Sequence, residues 1–408
     1  MPLDIDPLEL VDPRRFARRG YPHDVWTRLR AEGPVARFEP RDLAPFWAIT
    51  KHADIVEIAS QPLRFSSAQG IILMKPDAPK IASEMVVMLD PPRHGPMRRV
   101  ASRRFTPRAV RGQAADIERI VIDTLDEAAT NGELRECDFV ERIAAPLPIA
   151  VVSWVLGVAR EDWGLLFRWT NEIIGKDDPE FRRPGETPGQ AIKRARGELH
   201  AYLGDLIERR RNDPRDDLLS ELIRARIDDQ PLTVTQLLSY CELLVEAGNE
   251  TTRNAISGGL LAFSEHRDQW ERLQKHPELL PEAVEEILRW VSPIIHFTRT
   301  ATEDCEVRGR TIREGDQLAL FFASANRDEE VFEDPFTFRV DRSPNQHLAF
   351  GVGEHFCLGA HVARVEIEAV FRHLIQRLES FEVAGAVERL SSAVNGGIKH
   401  LPLRYRLT

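Results

Sequence analysis

The sequence predicts a mainly α-helical fold with a smaller β region, carried as one body over residues 1–408. Three patterns carry that expectation: apolar residues at three- and four-residue spacing along most of the chain, one unusually long apolar run from Val234 to about Phe263, and a short alternating segment at the C-terminal end. In the first pattern, Val110, Ala114, Ile117, Val121 and Leu125 mark an amphipathic helix behind the start signal Thr106-Pro107. Ala283, Ile287 and Trp290 mark another, and Ala360 to Leu378 reads as a third. The long run opens with Thr233 and, three residues on, Gln236, a capping-box pattern. Its residues Leu237, Leu238, Tyr240, Leu243, Leu244 and Val245 leave almost no polar face, so its first half should be buried on most sides. Phe46 to Thr50, Gln317 to Phe322 and the alternating Leu401, Leu403, Tyr405 and Leu407 read as strands. Proline and glycine gather at Pro179 to Gly189, expected as a mobile loop between helices and not as a domain boundary. No Gly/Ser tract, long charge block or internal repeat suggests a linker.

Composition narrows the function. The formal net charge of -10, from 55 Lys+Arg against 65 Asp+Glu, argues against a nucleic-acid partner. A small or apolar substrate fits better. Cys137, Cys241, Cys305 and Cys357 are far apart and form no C-x-x-C pair, which points away from disulfides and zinc and toward a reducing, cytoplasmic setting. The N-terminal Met1-Pro2-Leu3-Asp4-Ile5-Asp6-Pro7 lacks the basic and apolar regions of a signal peptide. The longest uncharged stretch, Ile143 to Ala159, is about seventeen residues and is interrupted by Pro146, Pro148 and Gly157, so a buried core helix is expected there and not a membrane span.

The chemistry concentrates in Phe350-Gly351-Val352-Gly353-Glu354-His355-Phe356-Cys357-Leu358-Gly359. Two glycines allow turns that side chains would obstruct, and a helix is expected directly after Gly359, which opens room behind the cysteine. Cys357 would then sit near a helix N-terminus, where backbone N–H groups and the helix dipole favour a thiolate. A lone cysteine in such a place is either a buried free thiol or a metal ligand. The whole pattern resembles the haem-binding loop of the haem-thiolate monooxygenases, the cytochrome P450 family, at every defining position. That resemblance implies the cytochrome P450 fold, haem b as cofactor with Cys357 as the iron ligand and Phe350, Gly351, His355 and Gly359 around it, and O2 as co-substrate.

A second segment, Ala247-Gly248-Asn249-Glu250-Thr251-Thr252-Arg253, interrupts the apolar helix. A glycine inside a helix costs roughly 1 kcal/mol relative to alanine, and an unpaired buried carboxylate costs several kcal/mol. Either the helix reaches the surface here, with Glu250 and Arg253 solvated, or function offsets the cost. The run is similar to the family's Ala/Gly-Gly-x-Asp/Glu-Thr segment. In that likeness Ala247 and Gly248 border the haem, Gly248 leaves room for oxygen, Thr251 donates a hydrogen bond to dioxygen and Glu250 relays protons from solvent. Glu stands where many members have Asp.

Glu286 and Arg289 share one helical face, which alone reads as a solvated pair of the kind surface helices are full of. The family completes such a Glu-x-x-Arg with a later arginine, here Arg342, so the likeness implies a structural trio bracing the cysteine loop. The likeness also assigns the two haem propionates to His94 and Arg98 of Pro92-Arg93-His94-Gly95-Pro96-Met97-Arg98, to Arg299 and to His355. For the substrate it implies Val245, Ala247, Pro293, Ile294, Ile295, Phe297 and Ile398, with entry over Ile71 to Val87 and further lining near Trp169 to Ile174. These segments are largely apolar, and the run from Ala247 to Ile256 looks like that of members acting on sterols and methyl-branched lipids. A terpenoid or fatty acid also fits. Electrons would come from NAD(P)H through a ferredoxin and its reductase, docking on Arg98, Arg99, Arg103, Arg104, Arg108 and Arg111 unless these form an ordinary solvated face. The expected protein is a cytoplasmic monomer. The alternatives are a peroxide-driven fatty-acid hydroxylase and a non-catalytic haem sensor.

Overall fold

The computed structural model describes residues 4–76 and 83–408. Its centre is the helix Val234–Glu265, 32 residues long and thus about 48 Å end to end. The capping box forms: Gln236 N donates to Thr233 Oγ1 at 3.2 Å, and Thr233 N donates to Gln236 Oε1 at 2.9 Å. The helix is buried on nearly every side because the helices Pro146–Leu156, Trp163–Ile174, Pro188–Asn212, Leu280–Val291 and Ala360–Arg377 pack around it. Two adjacent glycines let the neighbours approach. A Cβ at Gly258 would come within 2.7 Å of Val291, and one at Gly259 within 2.8 Å of Phe371. The apolar core beside them is built from Phe263, Trp270, Phe338 and Phe371.

The smaller β region is a five-stranded sheet in the order Val35–Phe38, Phe46–Ile49, Gln317–Phe321, His296–Ala301 and Phe65–Ser66. Gln317–Phe321 runs parallel to Phe46–Ile49 and antiparallel to His296–Ala301, with Leu318 opposite Arg299. A three-stranded sheet joins Leu378–Val383, Pro402–Leu407 and Arg135–Asp138.

Several expected elements change at their edges. The stretch Ile143 to Ala159 is not one helix: a wide π-type turn at Val140–Ala144 precedes the helix Pro146–Leu156, which Gly157 ends with φ of 79°. Pro146 fits because the first turn of a helix has no use for its missing N–H. No helix among the described residues is long and apolar enough to cross a membrane. The strand expected to reach Phe322 ends at Phe321, where a helical turn, Phe322–Ala325, begins. Of the expected loop Pro179 to Gly189, the last two residues already belong to the helix Pro188–Asn212, capped by Thr187.

Candidate active site

Between the long helix and the loop preceding Ala360–Arg377 lies a cavity of about 2130 Å³ that reaches the N-terminal segment and the strand His296–Ala301. Cys357 is in its wall. The loop folds back on itself: Gly351 and Gly353 take φ of 68° and 74°, Cys357 N donates to Phe350 O at 2.9 Å, and Phe356 N donates to Gly353 O at 3.1 Å. A Cβ on Gly353 would also lie 2.6 Å from Ala59 O, so this glycine is required for both conformation and space. Gly359 acts otherwise than expected. A Cβ there would meet Cys357 Sγ at an ordinary 4.0 Å, so the glycine opens no essential room; its N–H hydrogen-bonds the sulfur. The thiol surface opens onto the cavity while protein packs its other sides. Burial raises the Cys357 pKa, opposed by the Gly359 N–H and the Arg98 and Arg364 guanidiniums. A metal cation bound at the sulfur would outweigh the effect of burial and hold the thiolate. Cys137, Cys241 and Cys305 do not line the cavity, and burial pushes the first two up to about 11 and about 12.

The long helix forms the facing wall. Thr251 Oγ1 donates to Ala247 O at 2.8 Å. Glu250 and Arg253 do not emerge into solvent: both are buried, and Arg253 Nη2 pairs with Glu250 Oε2. Asn254 Nδ2 donates to Glu250 Oε1 at 3.1 Å, and Arg253 Nη1 donates to Asn171 Oδ1 at 2.8 Å, anchoring the carboxylate to the helix Trp163–Ile174. Gly248 corrects a second expectation. A Cβ there would point at Val152, 3.2 Å from Cγ2, so its bareness serves the contact with the helix Pro146–Leu156 and does not clear space over the cysteine.

At one rim gather His94, Arg98, Arg299 and His355. Arg98 Nη2 donates to Phe356 O at 2.6 Å, Arg299 Nη1 donates to Thr298 O at 2.8 Å, and the two imidazoles lie 4.3 Å apart. The His355 pKa is depressed to about 3 by burial, Arg299, His94 and Arg98; burial lowers Arg299 to about 10, with Asp90 pulling the other way. His94 falls too, through burial and Arg98, although Glu354 stands 3.5 Å from its Nδ1. Burial is the chief cause of the depression at all three, neighbouring cations add to it at the two histidines, and Asp90 and Glu354 do not offset it. Two carboxylates placed among them would relieve it. The donor set therefore fits a haem, whose iron Cys357 would ligate and whose propionates this rim would hold.

The expected trio forms a buried network behind the loop. Arg289 holds Glu286 with two hydrogen bonds of 2.7 Å, and Arg342 Nε donates to Glu286 Oε2 at 3.1 Å. Arg289 Nη1 donates to Asn326 O at 2.9 Å, while Asn326 Oδ1 accepts from Leu348 N at 2.7 Å, two residues before Phe350. The network thus reaches the cysteine loop through Asn326.

Of the expected substrate contacts, Ala247, Pro293, Ile294 and Phe297 line the cavity. Val245, Ile295 and Ile398 do not. Val245 packs among the helices, Ile295 against Phe46 and Phe321 beneath the sheet, and Ile398 in the core around Phe371. Ile71, Ile72, Val86 and Val87 line the cavity from the expected entry segment, of which residues 77–82 lie outside the described residues. From the region Trp169 to Ile174, Ile173 and Ile174 line it, whereas Trp169 Nε1 turns to Glu198 Oε2 at 2.8 Å. Two sets of residues were not anticipated: Glu366, a buried carboxyl whose Oε2 has no partner, and the group Arg196, His200, Glu242 and Glu246. The signal for the second lay in the sequence, as two acids four residues apart on a helix that is otherwise apolar there.

Comparison with known proteins gives this arrangement a family. The cytochrome P450 family profile matches residues 186–396. A linalool 8-monooxygenase of Pseudomonas putida is 36% identical over 96% of this chain and 97% of its own length. A steroid C26-monooxygenase of Mycobacterium tuberculosis is 39% identical over 97% of this chain and 92% of its own. Among solved structures, a cytochrome P450 of Novosphingobium aromaticivorans superposes with a TM-score of 0.90 at 30% identity, covering 100% of both chains. Likeness of this degree along nearly the whole length establishes that the chain belongs to the cytochrome P450 family.

Proposed function

We propose that this monooxygenase inserts one atom of O2 into a terpenoid, sterol or methyl-branched lipid, using electrons that a ferredoxin and its reductase carry from NAD(P)H. The observation that carries the proposal is one cavity joining Cys357, the four cationic or imidazole groups and Thr251 to apolar side chains such as Ile71, Ile294 and Phe297. Burying apolar surface contributes about 25 cal/mol per Å², so a large apolar ligand gains most from that lining. The relatives named for linalool and for steroids support the substrate class. The direct test is turnover of linalool, a sterol and a methyl-branched fatty acid with a ferredoxin and reductase. Oxidation of small polar compounds alone would refute the substrate class.

When bound, the haem iron supplies the binding and reductive activation of dioxygen. The chain's own residues would do the rest. Cys357 would give the thiolate, His94, Arg98, Arg299 and His355 would hold the propionates, and the cavity wall would exclude water from the reacting C–H bond. Thr251 Oγ1 would hold the proton nearest the reaction and Glu250 would resupply it. Thr251→Ala is expected to leave ligand-induced spectral shifts within about twofold and cut product per NAD(P)H several-fold, on the order of the loss of one hydrogen bond. The missing electrons should appear as hydrogen peroxide. Unchanged coupling in both Thr251→Ala and Glu250→Gln would favour the peroxide-driven reading.

For the redox partner, Arg99, Arg103, Arg108 and Arg111 are exposed on and beside the helix that carries His94, and they suit an acidic ferredoxin. Arg98 and Arg104 leave that set, because Arg98 turns to Phe356 O and Arg104 binds Glu221 and Asp216. We also propose that residues 1–408 act as one domain, monomeric and cytoplasmic; the free thiols of all four cysteines support a reducing compartment.

A further inference from the structure

Away from Cys357, the cavity wall carries a polar group that nothing in the mechanism uses. Glu242 and Glu246 lie one turn apart on the long helix, and Arg196 and His200 face them from the helix Pro188–Asn212. Glu242, 1% exposed, is fully engaged: Arg196 Nε donates to its Oε1 at 2.5 Å and His200 Nε2 meets its Oε2 at 2.5 Å. Glu246 is not. It shares a hydrogen bond with Glu242, but its Oε1 is shut off from solvent and has no partner. Burial and the neighbouring Glu242 charge push Glu246 up to about 8, so at neutral pH it keeps a proton, which the bond to Glu242 uses and which leaves Oε1 as an acceptor. A buried polar atom without a partner costs about 1–3 kcal/mol. Around it the cavity is apolar, through Ile192, Leu243, Leu244 and Ala247.

We infer that Glu246 is the polar anchor of the substrate cavity, its free Oε1 accepting a hydrogen bond from the hydroxyl group of an otherwise apolar terpenoid or steroid. The inference rests on the monooxygenase reading of the same cavity. Arg196 and His200 act as positioning residues: by engaging Glu242 they keep that carboxylate charged and leave the proton on Glu246. A site with a buried acceptor discriminates strongly against an analogue lacking the hydroxyl group, because binding the analogue leaves the acceptor unpaired. The ligand is thereby held by one end, and the carbon presented for oxidation is set by its distance from that oxygen.

The test is a titration of haem spin state in the loaded protein, wild type against Glu246→Leu and Glu246→Gln. The probes are linalool against myrcene, which lacks the oxygen, and testosterone against androstane. Glu246→Leu should weaken linalool and testosterone by about tenfold while the hydrocarbons stay within about twofold; Glu246→Gln, which keeps the Oε1 acceptor and an N–H to give to Glu242, should hold most of the affinity. An infrared carbonyl band of a protonated carboxylic acid should shift when either oxygenated probe binds wild type and be absent from Glu246→Gln. Equal losses for probes with and without oxygen, no loss for either, or no shift with any probe overturns the inference. The thiolate band of the ferrous-CO spectrum, recorded on each variant, separates this failure from failure of the haem-thiolate reading itself.

Discussion

Cys357→Ser should give a protein that folds but lacks the red-shifted ferrous-CO band of thiolate-ligated haem, and its oxygen-insertion activity should fall to background. The expectation follows from geometry. Cys357 is the one cysteine whose sulfur reaches the cavity, at the end of a loop held by the Phe350 carbonyl and the left-handed Gly351 and Gly353. Serine fits the same turn and keeps the N–H of Gly359 as a neighbour, so the scaffold should survive. It cannot supply a soft, strongly donating ligand, and thiolate donation is what favours O–O cleavage. Replacing Cys137, Cys241 or Cys305 by alanine should leave the band in place, since none of them lines the cavity. Retention of the band in Cys357→Ser would move the ligand elsewhere.

The second large effect is expected at a distance from the cavity. Glu286→Gln should lower the unfolding free energy by about 3–5 kcal/mol, the usual consequence of breaking a buried ion pair from one side. Glu286 and Arg289 are both 0% exposed and Arg342 is 5% exposed, and Glu286 is the carboxylate that both arginines share. Arg327 adds a third buried guanidinium, whose pKa burial and Arg289 drive down while Glu286 holds it up. Removing that single negative charge leaves three cations in the protein interior. Because Asn326 links this network to Leu348, haem content should fall together with stability. Denaturant titration and the haem-to-protein ratio measure the two, and a variant within 1 kcal/mol of wild type would show that the backbone carbonyls around Arg289 and Arg342 suffice without the charge.

Much of this architecture is written locally. The turn at Cys357 follows from glycines at fixed offsets and the start of the long helix from Thr233 and Gln236, whereas the Glu286 network, completed by Arg342 and Asn326, is legible only through the family likeness. What the sequence conceals is which neighbour each face meets. Periodicity puts Gly248 on a helix, but only packing shows that it faces Val152. The same holds for Val245, Ile295 and Ile398, apolar residues within a few positions of cavity-lining ones and turned into three different cores. Glu250 and Arg253 are three residues apart whether solvated or buried, and the decisive Asn171 is contributed by a helix some eighty positions earlier. Electrostatic roles are the least legible: Glu246 stands out only when Arg196 and His200 arrive from another helix and engage Glu242 first.

As a monooxygenase, this chain is expected to transfer one atom of dioxygen to an apolar substrate held beside Cys357. The most direct measurement is the isotopic composition of the product formed from linalool or a sterol under 18O2, with ferredoxin, reductase and NAD(P)H present. One 18O atom is expected in the new hydroxyl group, and none when the label is supplied as water. A product whose new oxygen comes from water, or turnover that proceeds unchanged without dioxygen, would contradict it.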